Sequence, residues 1–435
     1  MESPPNSTGF RGWSSKLATS ELLREFGRTF TSALLAVGCL AAPALYAADC
    51  SKPREAKGTV SNSFATAVQQ AAAQIEKKDY GTAISALTKM AQSDVSAYEK
   101  AVAYYNLGYA YSAKGDNKNA ATAFKQALDQ DAMPQKQYEQ LLYNTGQLFV
   151  ANGDYAQGTR LLERYLADTC SPISPDVYIF LASAYSEQKQ FAKALPYVDQ
   201  AIAKSPKPKE SWYQLKLAIH FEQKQYKPAA ETLVKLISIV PDKPDYWKQL
   251  SGILWQMNED TESLAVLALA ERQGFLQKPN EIKNLYNIYM VVGVPFKAGL
   301  FLQEALDKGR LPADERNLND LANAWINARE TDRAAGVLRK LAAQSNKGEY
   351  DFKLGAMYGD DERWGESIEL LKKAIDKGGL GNKAGEAWLR LAMAYYSTKK
   401  IPEAKNALAK ASGFDNTSRQ ASQWLEHIKT EYPDA

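Results

Sequence analysis

Histidine and cysteine, the side chains most often used for catalysis and metal binding, are rare in this chain. Among 435 residues there are two histidines and three cysteines. Two isolated histidines and widely spaced cysteines do not provide the closely spaced ligands of a zinc site. His220 occupies a repeat position that elsewhere carries aromatic residues, so we interpret it as a core residue. His427 is expected at the rim of a terminal helix.

Two further segments could suggest chemistry at first sight. The glycine-rich KGGLGNKAGEA at 377–387 lacks the Gly-Lys-Ser/Thr ending of a phosphate-binding loop, and it follows a predicted helix instead of a strand. The acidic GDDER at 359–363 lies at a predicted turn, where solvated side chains are expected. We therefore predict a protein that is not an enzyme and has no metal site and no cofactor.

The charge balance excludes another class of function. The chain has 53 basic and 50 acidic side chains, 24% charged and 45% hydrophobic residues, which is ordinary for a soluble protein. Nucleic-acid binding requires a basic stripe interleaved with aromatic residues, and the sequence has none. We predict no nucleic-acid partner.

The elements that position the remaining candidates are paired helices. In YYNLGYAYSAKGDNKNAATAFKQAL (104–128), Gly108 and Tyr111 lie on one face of a predicted helix. Glycine in a helix interior costs about 1 kcal/mol relative to alanine, so this position must require a small residue. Ala120, twelve residues later, is expected to face Gly108 from a second, antiparallel helix. Gly115 between them can adopt the positive φ that ends a helix.

The same pattern recurs ten times, at intervals of 33 to 38 residues. A unit of this kind cannot bury its apolar face alone, so the copies must stack. The pattern resembles the tetratricopeptide repeat family. The resemblance implies an all-α, right-handed superhelical solenoid of about ten helix-turn-helix repeats over residues 63–412, with a C-terminal capping helix and tail at 413–435. The repeats start near Phe64, Ala101, Glu139, Pro175, Glu210, Pro244, Pro279, Glu315, Gly348 and Gly385.

A narrower resemblance covers roughly residues 210–430. Its most distinctive pieces are GVPFKAG at 293–299 and KGGL…GEAWL at 377–389. These segments are similar to the exported tetratricopeptide proteins whose genes accompany ExbB, ExbD and TonB in many proteobacteria. The resemblance implies a periplasmic scaffold that assists energised outer-membrane transport and contacts a partner protein of such a system. A scaffold for pilus, polysaccharide or outer-membrane protein assembly is the alternative.

A stripe of first-helix residues is the predicted binding surface. Repeat positions 5, 9 and 12 lie close together on a helix and are expected to line the concave face of a solenoid. Amide side chains there can pair with the backbone of an extended segment, and an apolar row offers pockets. The predicted ligand-binding residues are Phe221, Lys248, Trp255, Lys283, Asn287, Met290, Asn319, Asn323 and Ile326.

The ligand expected on this stripe is an internal segment of a partner protein. Related repeats hold a free C-terminus with a two-carboxylate clamp, and Asp320 and Glu349 replace the asparagine and basic residue that such a clamp needs. In the alternative interpretation, the stripe packs against neighbouring first helices and binds nothing.

The N-terminus predicts export. An apolar stretch follows Arg24 and Arg28 and ends in small residues, the pattern of a secretory signal peptide. Residues 1–47 are thus interpreted as an N-terminal extension and signal peptide, and 48–62 as the first segment of a periplasmic mature chain with no membrane span. Retention as an anchor, or lipid attachment at Cys39, is the alternative.

Removal of the signal peptide would leave Cys50 and Cys170 in an oxidising compartment. A disulfide between them would staple the N-terminal segment across the first repeats and replace a missing cap. Two unpaired thiols are an equally open alternative at this point.

The export prediction can be tested by fractionating cells and sequencing the N-terminus of the purified protein. We expect a periplasmic chain that starts near Leu45 or Ala48, because small residues precede these positions. A full-length chain in the cytoplasm would contradict the prediction.

Overall fold

The computed structural model describes residues 50–432. Within this range the chain forms twenty-one α-helices, a short 3₁₀ turn at Gly381–Lys383 and no strand. None of the helices described is both long enough and apolar enough to cross a bilayer. The predicted signal peptide lies outside the described residues.

The described part of the chain divides into two compact units, with the boundary between residues 242 and 243. In both, each odd-numbered helix and the helix that follows it form an antiparallel hairpin. Hairpins one to five, in the first unit, consist of α1 Asn62–Glu76, α2 Tyr80–Gln92, α3 Ala97–Lys114, α4 Asn117–Asp129, α5 Gln135–Ala151, α6 Tyr155–Asp168, α7 Pro175–Glu187, α8 Phe191–Lys204, α9 Glu210–Glu222 and α10 Tyr226–Ile239.

The second unit contains five more hairpins and a final single helix. Its elements are α11 Pro244–Gln256, α12 Asp260–Arg272, α13 Pro279–Val291, α14 Pro295–Asp307, α15 Glu315–Asn327, α16 Thr331–Gln344, α17 Glu349–Asp360, α18 Trp364–Lys377, α19 Ala384–Ser397, α20 Ile401–Ala411 and α21 Ser418–Glu431. On α21, Ala421 and Ile428 are buried against hairpin ten. The all-α repeat architecture predicted from the sequence is confirmed.

In eight of the ten hairpins, the two helices meet at small residues twelve positions apart; hairpins five and seven have Leu217 and Tyr286 at the first of these positions. A Cβ added to Gly108 would lie 2.4 Å from the Phe124 ring, and Ala120 on the same helix as Phe124 is fully buried. In hairpin three, a Cβ on Gly158 would lie 2.9 Å from the carbonyl oxygen of Gly146. The small residue at Gly108 is therefore required by close helix packing, as predicted.

Serine fills the same contact in the second unit without leaving a buried hydroxyl unpaired. Ser251 Oγ donates to the Ser263 carbonyl at 3.1 Å, and Ser263 Oγ donates to the Ser251 carbonyl at 2.9 Å. In hairpin nine, Ser367 Oγ donates to the Gly355 carbonyl at 2.7 Å. Burying a hydroxyl is tolerated when it forms a hydrogen bond, so a small polar residue can replace glycine or alanine here.

The turn of each hairpin contains one residue with positive φ at the same repeat position. Gly115 has φ 85°, and the next N–H, of Asp116, donates to the Tyr111 carbonyl at 2.9 Å. For a residue other than glycine this conformation costs roughly 1–2 kcal/mol, which the packing of the hairpin must offset. In seven hairpins the residue with positive φ is not glycine. These residues are Lys78, Lys189, Lys224, Asn258, Arg329, Glu362 and Lys399.

Alanine substitution at two helical glycines should change stability in opposite directions. We expect Gly108→Ala to destabilise the chain by roughly 1–3 kcal/mol, because its Cβ would overlap the Phe124 ring. Gly336→Ala in α16 should stabilise it by about 1 kcal/mol, because nothing lies within 4 Å of its added Cβ. Urea unfolding of both variants measures the two changes; equal changes would refute the close contact.

Candidate functional site

The predicted stripe residues lie on four first helices. Phe221 is on α9 in the first unit, and the other eight are in the second unit, on α11, α13 and α15. In the second unit, the predicted residues at repeat positions 5, 9 and 12 lie on three consecutive first helices.

The lysines of the stripe are paired with acidic side chains of the next hairpin. Lys248 Nζ lies 2.9 Å from Glu281 Oε1, and Lys283 forms an ion pair with Asp320. Burial lowers the pKa of Lys248, but the hydrogen bonds that its ammonium group donates to Glu281 and Asp245 outweigh burial and raise the pKa above its usual value. These lysines are thus committed to joining adjacent hairpins.

Asn319 takes part in a similar bridge, because its Oδ1 accepts from Lys353 Nζ at 2.7 Å. Glu349, one of the two residues that depart from the carboxylate clamp, lies 3.6 Å from the same lysine and 3.5 Å from Lys383. The other departure, Asp320, is the partner of Lys283. Of the two acidic residues, Asp320 thus joins two first helices, and Glu349 pairs with a lysine of its own helix and with one in the 3₁₀ turn.

Two amides of the stripe are left without such a role. Among residues 50–432, no group forms a hydrogen bond with the side-chain amide of Asn287 or of Asn323. Asn287 is exposed and Asn323 is half-buried. Both occupy repeat position 9, so each presents one donor group and one acceptor oxygen at the same place in consecutive hairpins.

The apolar row is half-buried. Trp255 packs on one side against a core cluster that includes Leu267 and Leu285. Met290 and Ile326 pack in the same way against the neighbouring cluster. Part of each side chain thus belongs to the core. Met290 and Ile326 follow Asn287 and Asn323 by three residues, so each lies on the same side of its helix as an amide.

In the first unit, the residues at repeat positions 5, 9 and 12 differ in type and in exposure from those of the second unit. In hairpin four, the residues at these positions are Ile179, Ser183 and Ser186. They are only 0%, 1% and 7% exposed, so the stripe has almost no accessible surface there. In hairpin two it carries Tyr105 and Tyr109, whose rings meet edge to face at 5.1 Å. Sequence reasoning did not single out these two tyrosines, although their spacing of four residues is visible.

The N-terminal residues 50–61, which we call the strap, run across the loops of the first three hairpins. Cys50 and Cys170 form a disulfide, with Cα atoms 5.6 Å apart, inside the range that a disulfide requires. At the other end of the strap, the Ser61 N–H and hydroxyl donate to Glu99 Oε1 at 3.0 and 2.8 Å.

Two glutamates fix the ends of the strap. The backbone N–H and hydroxyl of Ser61, together with those of Ser96, lower the pKa of Glu99 to about 2. Glu139 is buried, which raises its pKa, but hydrogen bonds led by the Ser171 hydroxyl and the Cys170 N–H outweigh burial and lower it. Both carboxylates are thus held in the charged form that accepts these hydrogen bonds.

His220 is a core residue, and the described part of the chain has no cluster of side chains suited to a metal ion. His220 is 4% exposed, and its Nδ1 lies 2.8 Å from Gln225 Oε1. Burial lowers the pKa of His220, in agreement with its predicted core position. Residues 50–432 contain no group of three or more His, Cys, Asp or Glu side chains that could hold a metal ion.

Three segments match family models of the tetratricopeptide repeat: residues 97–132, 149–219 and 386–411. The first lies in hairpin two, the second runs from α5 into α9, and the third lies in hairpin ten. These matches support the tetratricopeptide repeat family for this chain. Such repeats indicate a protein–protein interaction scaffold, and their fold is typically non-catalytic.

Similar solved structures include a tetratricopeptide repeat protein from Parabacteroides merdae, 14% identical, covering 61% of this chain and 99% of that one, with a TM-score of 0.32. MamA from Desulfovibrio magneticus RS-1 is 18% identical over 40% and 95%, with a TM-score of 0.31. YrrB, described as having an unusual peptide-binding site, is 16% identical over 40% and 86%, with a TM-score of 0.32. TM-scores this low carry no argument about function. No curated protein sequence matches the chain significantly.

Thiol counting tests the predicted disulfide. We expect the protein purified from cells to show no free thiol under denaturing, non-reducing conditions, because Cys50 and Cys170 are at bonding distance and the predicted compartment is oxidising. The same protein treated with a reductant should show two thiols. Two free thiols before reduction would refute the pairing.

Proposed function

We propose that this chain is an exported scaffold that binds an extended segment of a partner protein along the first helices of hairpins six to eight. The observation that carries the proposal is the pair of unpartnered amides, Asn287 and Asn323, beside a half-buried apolar row. Each amide can donate to a peptide carbonyl and accept from a peptide N–H.

The neighbouring charges suggest the kind of segment that fits. Lys248 and Lys283 are already paired with Glu281 and Asp320, so they would have to break these bonds to bind an acidic ligand. An uncharged segment with apolar side chains would lose less, because it leaves the pairs between hairpins intact. The ligand we propose is therefore an extended, largely uncharged stretch of a partner protein.

We further propose a periplasmic location and an accessory role in transport energised by an ExbB/ExbD/TonB-type system. Support for this part comes from the signal-like N-terminus and from the GVPFKAG and KGGL…GEAWL segments. An envelope-assembly scaffold is the second candidate. Genes for ExbB, ExbD or TonB beside the gene of this protein would favour the first candidate.

The binding site can be tested with the double variant Asn287→Ala/Asn323→Ala. A partner is first identified by crosslinking in intact cells and then purified, and its dissociation constant is measured with both proteins. We expect roughly thirty-fold weaker binding, because two hydrogen bonds of about 1 kcal/mol each are lost. The melting temperature should stay within a few degrees, because neither amide has a hydrogen-bond partner among residues 50–432.

The matched control is Gln303→Ala on α14, the second helix of hairpin seven. Its amide donates to Asp307 Oδ1 at 2.9 Å and lies outside the stripe, so binding should be unchanged. Trp255→Ala is a poorer test, because that side chain packs against core residues and its loss would also lower stability. Unchanged binding by the double variant would refute the stripe as the site.

A further inference from the structure

The strap places two cations on one carboxylate of the first unit. Lys57 Nζ lies 2.6 Å from Asp131 Oδ2, and the Arg54 guanidinium donates to Asp131 Oδ1. The Arg54 guanidinium also lies over the Tyr138 ring, 4.1 Å from its centroid. Tyr138 is 1% exposed, and its hydroxyl donates to Asp168 Oδ2 at 2.6 Å, so the ring beneath the cation is fixed in place.

The backbone of the strap is bonded at the same two residues. The Gln135 N–H donates to the Arg54 carbonyl at 2.9 Å, and the Lys57 N–H donates to the Ala132 carbonyl at 3.1 Å. These bonds set the register of the strap against the loop between α4 and α5. The side chains and the backbone of residues 131–138 thus bind the same segment, in which an arginine and a lysine are three residues apart.

We propose that Asp131, Gln135 and Tyr138 form a recognition site for an extended basic segment, and that residues 54–57 of the strap occupy this site in cis. A partner with an Arg-x-x-Lys segment would bind by displacing the strap. This site is separate from the stripe of hairpins six to eight, and it takes a ligand of opposite character, basic instead of uncharged.

Arginine should be strongly preferred over lysine at the first position. A planar guanidinium can lie over an aromatic ring and donate to a carboxylate at the same time, which an ammonium group does less well. The acidic partner alone contributes little, because the Asp131 side chain is 50% exposed and exposed ion pairs are weak. The ring contact and the two backbone bonds must therefore supply most of the selectivity.

Attachment explains why the strap fills the site in the intact chain. A tethered ligand has an effective concentration on the order of millimolar, and here both ends of the strap are fixed, by the Cys50–Cys170 bond and by Glu99. A free segment of the same sequence would have to compete with this local concentration. Binding in trans is thus expected only when the strap is weakened.

The test uses the whole exported chain with Cys50→Ser, Arg54→Ala and Lys57→Ala, and a fluorescein-labelled peptide of residues 51–61, SKPREAKGTVS. Fluorescence anisotropy should show saturable binding to this variant and at least ten-fold weaker binding to the oxidised wild-type chain. A peptide with alanine at both basic positions should not bind. Circular dichroism checks that the variant keeps its helices.

Adding Asp131→Asn to the variant should weaken peptide binding roughly three-fold, because an exposed ion pair is worth at most about 1 kcal/mol. Asp129→Asn is the matched control, because Asp129 lies two residues away and pairs only with Lys125, at 2.7 Å. Failure of the peptide to bind a folded variant, or equal effects of the two substitutions, would overturn the proposal.

A second measurement does not require the triple variant to fold. In the oxidised wild-type chain, trypsin should cleave slowly after Arg54, because this side chain is held by Asp131 and Tyr138. Asp131→Asn alone should accelerate that cleavage roughly three-fold, the size expected for the loss of an exposed ion pair, and Asp129→Asn should leave it unchanged. Equal cleavage rates in all three chains would show that the side-chain site does not hold the strap.

Discussion

The contact between small residues twelve positions apart is the constraint on which eight of the ten hairpins depend. Glycine, alanine or serine lets the two helices touch, so the large residues around the contact, such as Phe124 opposite Gly108, can fill the remaining space. Interiors are packed as densely as organic crystals, so one added methyl group at this point has no room. Seven hairpins adopt positive φ in the turn without glycine. Packing therefore outweighs local preference in these turns.

Most of the fold could be predicted from the sequence, and less of the candidate site. Periodicity predicts the small residue required at Gly108, the ten repeats and the core position of His220. The spacing of apolar residues indicates which face of a helix is buried. The partners of Lys248 and Lys283 could not be predicted this way. They lie on the next hairpin, and which long side chains meet there depends on how one hairpin is rotated against the next.

The same limit explains the difference between hairpins along the stripe. Repeat positions 5, 9 and 12 are closed in hairpin four, where Ile179 is fully buried, but carry an exposed amide at Asn287 in hairpin seven. The repeat pattern treats these positions as equivalent, because it records the contact within a hairpin and not the distance to the next one. In hairpin four, small polar residues such as Ser183 allow these positions to be buried. In hairpins six to eight, ion pairs between lysines and acidic side chains connect neighbouring first helices.

The strap shows how a segment without regular secondary structure can be held along the loop edge of a repeat array. It contacts Glu99 at the start of hairpin two, and Asp131 and Cys170 in the loops that follow hairpins two and three. It offers little apolar area, so it is held by specific polar contacts: Ser61 on Glu99, Arg54 on Tyr138, and the Cys50–Cys170 bond. Contacts of this kind depend on sequence, whereas helix packing depends mainly on size. A surface that recognises its own segment by charge, ring and backbone together is equipped to recognise the same chemistry in another chain.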